Sequence, residues 1–374
     1  MPKPLNLLII QQAPDWGGAE AWMANLVDFF SQKKVSVTAY TNLPKLKKSF
    51  KQSGAKVYHL PFILDIIGNL KGLIKTLLLL PYAVCFYLQV LQKAKKSNTN
   101  LILLSGFSEK LVITWLSGIF KLPVVWFEYG PLEPVFKKLF YLPKICYLFT
   151  KHLPKKVLTI SQHTRFDLIS SARISPAKLK LIYPGVKITR QINKLKSPII
   201  GSLSRVAPEK GQSQLIKAWP EVIIQIPQAR LLIAGQGPDQ PYLQQLVKRL
   251  KLNGSVKLLG FIDNKRQFYQ SLSIFIFLSI WHLEGFGLVL AEAMAHGVPV
   301  IAYDHGPTKE IISPQEGILV KTSDVDALAQ AIIRLLQSPK TRSQLSKNAS
   351  QKAARQFNLE IQADKILKEL YETV

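Results

Sequence analysis

The chain has 374 residues, enough for two domains with separate hydrophobic cores, because a single core usually stops growing near roughly 250 to 300 residues. Its 48% hydrophobic and 19% charged residues are ordinary for a globular protein, and its two cysteines, Cys85 and Cys146, are too few and too far apart to indicate a disulfide framework or a zinc site. The formal net charge of +26 indicates an anionic partner.

The basic charge is concentrated in the first half of the chain. Residues 1–196 contain 29 basic and 8 acidic residues, whereas the remainder contains 20 and 15. Such an asymmetry is typical of a half that meets a nucleic acid or an acidic membrane. We find no recognisable nucleic-acid-binding module, so the membrane is the favoured partner. The paucity of cysteines favours a reducing cytoplasm.

Short apolar runs separated by helix-length stretches occur along the first half. They predict strands at 5–10, 35–40, 56–60, 100–104, 124–127 and 156–160. The run at 5–10 is too short for the core of a signal peptide and is interpreted as the first buried strand. Strands that alternate with helices are typical of a parallel sheet covered on both faces.

Two segments of the first half are unusually apolar. Residues 77–88 carry no charge, and the segment 76–92 is bounded by Lys75 and Lys93, so it is either a membrane span or an interfacial or buried helix. The segment 136–156 mixes aromatic residues and leucines with six lysines. That mixture suits the surface of an anionic bilayer, and the alternative is a buried helix pair flanked by solvated lysines.

A second series of strands begins after the polar, basic stretch 187–197. These strands are predicted at 199–203, 230–234, 255–259, 274–278, 298–302 and 317–320, with helices at 212–226 and 241–252 among them. We therefore predict an α/β protein with two doubly wound, Rossmann-like domains that face each other across a ligand cleft. The predicted domains are an acceptor-side domain at 1–190, a donor-binding domain at 191–355 and a closing helix at 356–374.

The most informative segment is 284–292, in which Glu284 and Glu292 flank a turn of glycines and an apolar, helix-forming stretch. A helix that starts after Gly285 and Gly287 would direct unpaired N–H groups and the positive end of its dipole at an anion. The two carboxylates would then lie roughly 12 Å apart along the axis. This arrangement can hold a phosphate-bridged ligand by its hydroxyls, and the alternative is a capped surface helix with two solvated glutamates.

Six landmarks occur in an order that resembles the retaining glycosyltransferases with two Rossmann domains, the GT-B type, and in particular family 4 (glycosyl transferases group 1). The landmarks are Gly17-Gly18, Ser204-Arg205 with Lys210-Gly211, the run from Ala234 to Pro238, Leu259-Gly260-Phe261, the segment from Glu284 to Glu292, and the run from Ala293 to Val300. The resemblance implies transfer of a sugar from a nucleotide-sugar donor to an acceptor hydroxyl.

The resemblance also implies roles for individual residues. Arg205 and Lys210 would pair with the diphosphate, Glu284 with hydroxyls of the donor sugar and Glu292 with the ribose. Without the other landmarks, Arg205 and Lys210 would be interpreted as solvated loop charges. Gly17-Gly18 is either a phosphate-binding loop or a tight turn. The implied donor-binding residues are Gly17, Gly18, Gly235, Phe261, Gly285, Phe286, Gly287, Leu288 and Glu292.

The chain departs from the family near Glu128, where many members carry a histidine. Glu128 is therefore a candidate acceptor-side catalytic carboxylate, beside Glu284, Arg205 and Lys210, and the alternative is a structural loop carboxylate. The motif Asp324-Val325-Asp326 resembles a metal-binding Asp-x-Asp, but its position before a helical run favours helix capping. We predict no metal and no cofactor, since fixed cations can stabilise the leaving group.

The predicted function is a glycosyltransferase of glycolipid, polysaccharide or cell-envelope synthesis, with a nucleotide-sugar donor and a lipid-linked acceptor. We expect it in the cytoplasm, peripheral on the inner face of the cytoplasmic membrane, without nucleic acid as a partner. The alternatives are a sugar-nucleotide epimerase or an inactive member of the same fold and, less favoured, a nucleic-acid-binding protein.

Overall fold

The computed structural model describes residues 4–189 and 197–374, and the chain divides into two compact units. The first unit comprises residues 1–185 with 360–374, and the second comprises 186–359. The domain boundary predicted between 190 and 191 lies outside the described residues. The predicted closing helix falls, from residue 360 onward, in the first unit.

The first unit contains a parallel sheet of seven strands in the order β3-β2-β1-β4-β5-β6-β7. The strands are β1 (Asn6–Gln11), β2 (Ser36–Thr41), β3 (Lys56–His59), β4 (Leu101–Leu104), β5 (Val124–Glu128), β6 (Lys156–Thr159) and β7 (Leu179–Leu181). Because the order reverses between β1 and β4, the loops that follow these two strands diverge to opposite faces and leave a crevice at their carboxyl ends.

Eight α-helices within the described residues accompany this sheet. They are α1 (Gly18–Gln32), α2 (Pro44–Gln52), α3 (Leu70–Lys96), α4 (Phe107–Ile119), α5 (Glu133–Phe136), α6 (Leu142–Thr150), α7 (Gln162–Ser170) and α15 (Leu359–Tyr371). The last helix is tied to β6 by Lys156, whose Nζ lies 2.6 Å from a carboxylate oxygen of Glu369 and 3.0 Å from one of Glu372.

The second unit contains a parallel sheet of six strands in the order β10-β9-β8-β11-β12-β13. Its strands are β8 (Ile199–Leu203), β9 (Arg230–Ala234), β10 (Val256–Gly260), β11 (Ile274–Phe277), β12 (Val300–Tyr303) and β13 (Gly317–Val320). Its helices are α8 (Gln212–Gln225), α9 (Gln240–Arg249), α10 (Lys265–Ser271), α11 (Leu288–Ala295), α12 (Thr308–Ile311), α13 (Val325–Gln337) and α14 (Pro339–Gln356). Here the strand order reverses between β8 and β11.

The central strands of both sheets are buried on both faces, as their continuous apolar runs predict, whereas the edge strand β3 is largely exposed. β4 and β11 are fully buried along their whole length. The predicted doubly wound α/β architecture is confirmed, and the predicted strands agree with the observed ones within one or two residues. Strand β7 escaped prediction, because its three residues, Leu-Lys-Leu, are too few for a periodic signal.

The two apolar segments of the first unit form different structures. Residues 76–92 lie inside α3, the one helix in the described residues that is long and apolar enough to cross a bilayer by length and composition. Residues 136–156 are divided among the end of α5, a 3-10 turn at Leu139–Tyr141, and α6. Three successive residues, Leu139, Phe140 and Tyr141, have left-handed backbone angles (φ 47°, 53° and 65°), which separates α5 from α6.

Candidate active site

The carboxyl edge of the second sheet collects most of the predicted site residues. Arg205 and Lys210 follow β8, and Glu284 follows β11, so all three belong to loops at the point where the strand order reverses. In open α/β sheets this point is where ligands bind. The sequence order of the landmarks therefore becomes a spatial cluster in the second unit.

Lys210 and Glu284 form a partly buried ion pair at this point. The Nζ of Lys210 lies 2.7 Å from Oε2 of Glu284, with 10% and 14% of the two side chains exposed. The hydroxyl of Ser279 donates to the same Oε2 at 2.8 Å, and the Lys210 ammonium lies 4.4 Å from the ring centroid of Trp281. Within the described part of the chain, Oε1 of Glu284 accepts no hydrogen bond. The Lys210 ammonium and the Glu284 carboxylate are thus fixed together, and one carboxylate oxygen remains available to a ligand.

Arg205 has a different environment from Lys210. Its side chain is 58% exposed, and its guanidinium contacts Glu209 Oε1 at 2.6 Å within the same loop. The Nε2 of Gln212 donates to the carbonyl oxygen of Arg205 at 2.9 Å, which holds the backbone while the side chain extends into solvent. Arg205 can therefore swing to a ligand at little cost, since an exposed pair of this kind is worth only about 0 to 1 kcal/mol.

The turn before α11 has the form that its glycines predict. Gly287 is the N-cap of α11 with φ 89°, a left-handed conformation that glycine adopts without strain. Phe286, predicted to bind the donor, is 2% exposed, and its ring packs edge-on against Phe357. Its side chain anchors the turn in the core, and only its backbone can face a ligand. Leu288 begins the helix.

Glu292, on α11, is held by two residues whose roles the sequence did not reveal. The Nζ of Lys265 lies 3.0 and 3.1 Å from its two carboxylate oxygens, and the hydroxyl of Tyr269 donates to Oε2 at 2.8 Å. Burial, and then the charge of Glu292, raises the pKa of Tyr269 well above its ordinary value, so this hydroxyl remains a donor. Lys265 and Tyr269 therefore orient the carboxylate.

The glycines after β9 serve the packing of the loops. A Cβ on Gly235 or Gly237 would overlap the carbonyl oxygen of Ser204 or Val206, in the loop after β8. The N–H of Gly235 donates to the carbonyl oxygen of Gly260 at 2.7 Å, so this N–H is not available to bind a ligand. These glycines let the two loops lie side by side.

Phe261, the remaining predicted donor residue of the second unit, follows β10 and is 52% exposed. Exposure of this size is the opposite of what a core residue shows. The structure therefore places its ring at the surface, beside the carboxyl edge of the sheet.

In the first unit, Gly17 and Gly18 lie where β1 leads into α1. Gly17 is the N-cap of this helix, and its N–H donates to the Glu20 carboxylate at 2.9 Å. The backbone of Gly17 is extended (φ −133°), not left-handed. The helix therefore begins with a capping box, and a phosphate would have to displace Glu20 to reach the N–H of Gly17.

Glu128, predicted as a candidate catalytic carboxylate, lies in the core at the end of β5. It is 3% exposed, its Oε2 lies 2.8 Å from Nζ of Lys110, and its Oε1 accepts from the hydroxyl of Tyr147 at 2.8 Å. Burial lowers the pKa of Lys110 and raises that of Tyr147. This closed network favours the structural alternative for Glu128.

A different carboxylate, Glu109, lies at the carboxyl edge of the first sheet. It belongs to the first turn of α4, is fully buried, and accepts from the N–H of Gln12 at 2.6 Å. Burial raises its pKa to about 7. A buried carboxyl whose pKa lies near 7 is the kind of residue that functional sites contain.

Several buried polar atoms in the same region have no partner among the described residues. They include Gln11 Oε1 in β1, Ser105 Oγ just after β4, Tyr129 Oη just after β5, and Oε2 of Glu109. The strands concerned, β1, β4 and β5, are neighbours in the sheet, and the strand order reverses between β1 and β4. Since buried polar groups are nearly always hydrogen-bonded, this edge fits a hydroxyl-bearing ligand or ordered water.

The raised pKa of Glu109 has a consequence for stability. Because its pKa is about 7 in the folded chain and near the ordinary 4.5 when unfolded, folding favours the protonated form, and stability is lost as pH rises from about 4.5 to 7. Glu109→Gln keeps an oxygen for the N–H of Gln12 and should stabilise the protein by up to about 3 kcal/mol at pH 8. Denaturant unfolding at pH 8 and pH 5 measures this, and an equal effect at both would contradict it.

The Asp-x-Asp look-alike is a helix cap. Oδ1 of Asp324 accepts from the N–H of Ala327 at 2.9 Å, at the N-terminus of α13, as the sequence predicts. Over residues 4–189 and 197–374, we find no group of three His, Cys, Asp or Glu side chains that could hold a metal ion.

The two doubly wound units match those of solved structures. The fold matches that of HepE from Anabaena, solved in complex with UDP, with a TM-score of 0.81 at 22% identity over 98% of this chain and 100% of that one. It also matches sucrose-phosphate synthase from Thermosynechococcus elongatus, with a TM-score of 0.77 at 20% identity over 99% and 100% of the two chains. The chain therefore has the GT-B fold of glycosyltransferases.

The family follows from the second unit. Residues 187–352, which lie within the second unit, match the family model described as glycosyl transferases group 1. This finding confirms the group 1 part of the resemblance over the residues that contain five of the six landmarks.

Curated relatives match about half of the chain. A GDP-mannose-dependent monoacylated alpha-(1-6)-phosphatidylinositol monomannoside mannosyltransferase of Corynebacterium glutamicum is 34% identical over 177 residues, 46% of each chain. Alpha-monoglucosyldiacylglycerol synthase of Acholeplasma laidlawii is 28% identical over 211 residues, 54% of this chain and 51% of the relative. The chain thus aligns with about half the length of these relatives.

Proposed function

We propose that the chain transfers a sugar from a nucleotide-sugar donor to a hydroxyl of a lipid-linked or other cell-envelope acceptor, with retention of configuration at the anomeric carbon. The observation that carries this proposal is the Lys210–Glu284 ion pair. It lies where the strand order of the second sheet reverses, and within the residues that match the family.

The second unit binds the donor in this proposal. Transfer breaks the bond between the anomeric carbon and the diphosphate oxygen, so negative charge develops on the leaving nucleotide. Lys210, already fixed in place by Glu284, stabilises that charge without reorganisation, and the exposed Arg205 swings in to neutralise it further. Oε1 of Glu284 accepts a hydrogen bond from a hydroxyl of the donor sugar. Glu292, oriented by Lys265 and Tyr269, accepts hydrogen bonds from the ribose hydroxyls.

The first unit binds the acceptor in this proposal. The unpartnered polar atoms at the ends of β1, β4 and β5 offer hydrogen bonds to hydroxyl groups, and Glu109 replaces Glu128 as the candidate acceptor-side carboxylate. As its oxygen bonds to the anomeric carbon, the acceptor hydroxyl gives its proton to ionised Glu109. Protonated Glu109 donates a hydrogen bond, and ionised Glu109 accepts one.

The names of the relatives support a lipid acceptor and retention. One acts on a phosphatidylinositol mannoside and another makes a glucosyldiacylglycerol, and both names specify alpha linkages. An alpha product from a donor whose sugar is alpha-linked to the diphosphate is retention. With the basic first half of the chain, this supports a cytoplasmic enzyme that is peripheral on the inner face of the membrane.

Binding and turnover of sugar nucleotides distinguish a glycosyltransferase from an epimerase, an inactive member of the fold and a nucleic-acid-binding protein. HepE was solved with UDP and with UDP-glucose, and the mannosyltransferase depends on GDP-mannose, so a panel of UDP- and GDP-sugars is the first choice. At least one should raise the melting temperature, because a ligand that binds only the folded chain stabilises it. The same donor should then label a lipid extract, with or without EDTA.

The outcomes separate the alternatives. An isomerised donor without transfer identifies an epimerase, and stabilisation without turnover identifies an inactive member of the fold. Stabilisation by none of the sugar nucleotides, together with a gel shift of nucleic acid at physiological salt, would overturn the proposal. Activity lost in EDTA and restored by a divalent cation would contradict its metal-independent part.

A further inference from the structure

Helix α3 exposes an apolar stripe along its first half. The side chains of Leu70, Ile74, Leu77, Leu78 and Tyr82 are between 51% and 78% exposed. Their spacing of three, four and eight residues places them on one face of the helix. A soluble helix normally covers such a face with a neighbour, so this stripe requires a partner.

Helix α6 and the turn before it expose a second stripe. Tyr141, Ile145 and Phe149, each four residues after the last, are 53%, 50% and 72% exposed, whereas Pro143 and Tyr147, on the opposite face, are buried. Phe140, in the left-handed turn, is 98% exposed.

Helix α4 joins the two stripes into one surface. It packs against both α3 and α6, and it exposes Trp115 (55%) and Ile119 (69%). The indole N–H of Trp115 donates to the hydroxyl of Thr150, which follows Phe149 on α6, at 3.0 Å. The exposed apolar side chains of α3, α4 and α6 together form what we call the helical apolar surface of the first unit.

The charges around the helical apolar surface are almost all positive. Residues 66–156 contain thirteen lysines and three glutamates. Two of these glutamates, Glu109 and Glu128, are buried, and the third, Glu133, pairs with Lys137. Lys110, Lys137 and Lys156 form ion pairs, whereas the other ten lysines contact no carboxylate among the described residues. Exposed apolar side chains fringed by such lysines are complementary to an anionic bilayer, in which rings and aliphatic chains enter the interface while ammonium groups meet the headgroups.

The same structure argues against a transmembrane α3. The exposed apolar stripe covers residues 70–82, about 20 Å of helix, whereas the hydrocarbon core of a bilayer is about 30 Å thick. The second half of the helix belongs to the core, where Tyr87 is fully buried against the ring of Phe62 at 5.4 Å. Withdrawing α3 into a membrane would remove these contacts.

We propose that the helical apolar surface lies flat on the interface of an anionic bilayer and docks the first unit there without a spanning helix. This inference rests on the proposed function in one respect: docking would bring the acceptor site to lipid-linked acceptors. Binding to lipid can be measured without any sugar transfer.

The test is co-sedimentation of the full chain with vesicles of phosphatidylcholine, alone or with phosphatidylglycerol. We expect binding to the anionic vesicles only, weakened by salt. Phe149→Ser should lower the partition coefficient about tenfold. Phe166→Ser, which removes a 73% exposed phenylalanine from α7, outside this surface, is the matched control and should leave it unchanged.

The depth to which the helical apolar surface enters the bilayer is measured separately by tryptophan fluorescence. Brominated lipids should quench Trp115 in the bound protein, and the quenched fraction should disappear in Trp115→Phe. Lys138→Gln should lower anionic binding about fivefold, the change expected for one lysine near the surface. Bound chain should be extracted by alkaline carbonate, since a docked protein has no spanning segment.

Several results would overturn the inference. The first three are equal binding to neutral and anionic vesicles, equal effects of Phe149→Ser and Phe166→Ser on binding, and resistance of the bound chain to carbonate extraction. The fourth is a dimer in solution that Phe149→Ser dissociates, which would make this surface a contact between two copies. Stabilisation by a sugar nucleotide is expected to persist in Phe149→Ser. A failure of docking is therefore distinguishable from a failure of the proposed function.

Discussion

Replacing Lys210 by methionine should lower kcat for sugar transfer by about a hundred- to a thousandfold, the loss typical when one preorganised group that stabilises developing negative charge is removed. Methionine keeps an unbranched apolar stem against Trp281 but removes the ammonium that lies 2.7 Å from Glu284. The leaving diphosphate then faces a carboxylate without its counter-ion. Initial rates with saturating donor measure the effect.

The matched control for Lys210→Met is Lys352→Met. Lys352 pairs with Glu316 at 3.3 Å, with 14% and 10% of the two side chains exposed, close to the values for the pair at the site. Glu316 precedes β13, so this pair lies at the amino edge of the same sheet. Both variants should lose similar stability, and only Lys210→Met should lose kcat. Equal kcat in the two variants would contradict the role of Lys210.

Glu284→Gln should also lower kcat by at least about a hundredfold, but for a different reason. The amide retains the size of the side chain, while its charge and one of its acceptor oxygens are lost. Because Lys210 then lacks its counter-ion, a nucleoside diphosphate should bind Glu284→Gln as tightly as the parent protein, or more tightly. A strong loss of nucleotide affinity would show that Glu284 holds the nucleotide instead of the sugar, and Glu316→Gln is the control for an unpaired lysine.

The fold was predictable because apolar runs, turns and helix-length spacers report local structure. The strand at Ile199–Leu203 has the predicted bounds, and the helix at Leu359–Tyr371 lies within the predicted closing segment 356–374. The 3-10 turn at Leu139–Tyr141 was not predictable, since left-handed angles at three non-glycine residues oppose local preference and depend on tertiary packing. Arg205, Lys210, Glu284 and Glu292 could be singled out because they belong to motifs that follow predicted strands, and their roles in binding stay predictions.

What the sequence could not show is which charges pair across the fold. Glu128 occupies a position typical of a functional residue, and only the structure places Lys110 and Tyr147, 18 residues before and 19 after it, against its carboxylate. Glu109 carries no motif, and its altered pKa arises from burial, a property of the packed chain. Lys265 and Tyr269 were missed for the same reason, because their contact with Glu292 depends on how α10 and α11 pack.

The most direct measurement of the central claim is calorimetric binding of nucleoside diphosphates and their parent nucleosides, UDP with uridine and GDP with guanosine, to the parent chain and to Lys210→Met. If Lys210 neutralises the departing diphosphate, the variant should lose at least about tenfold in affinity for the diphosphate that the parent binds, and nothing for the nucleoside. An unchanged affinity for the diphosphate, or an equal loss for both ligands, would contradict it.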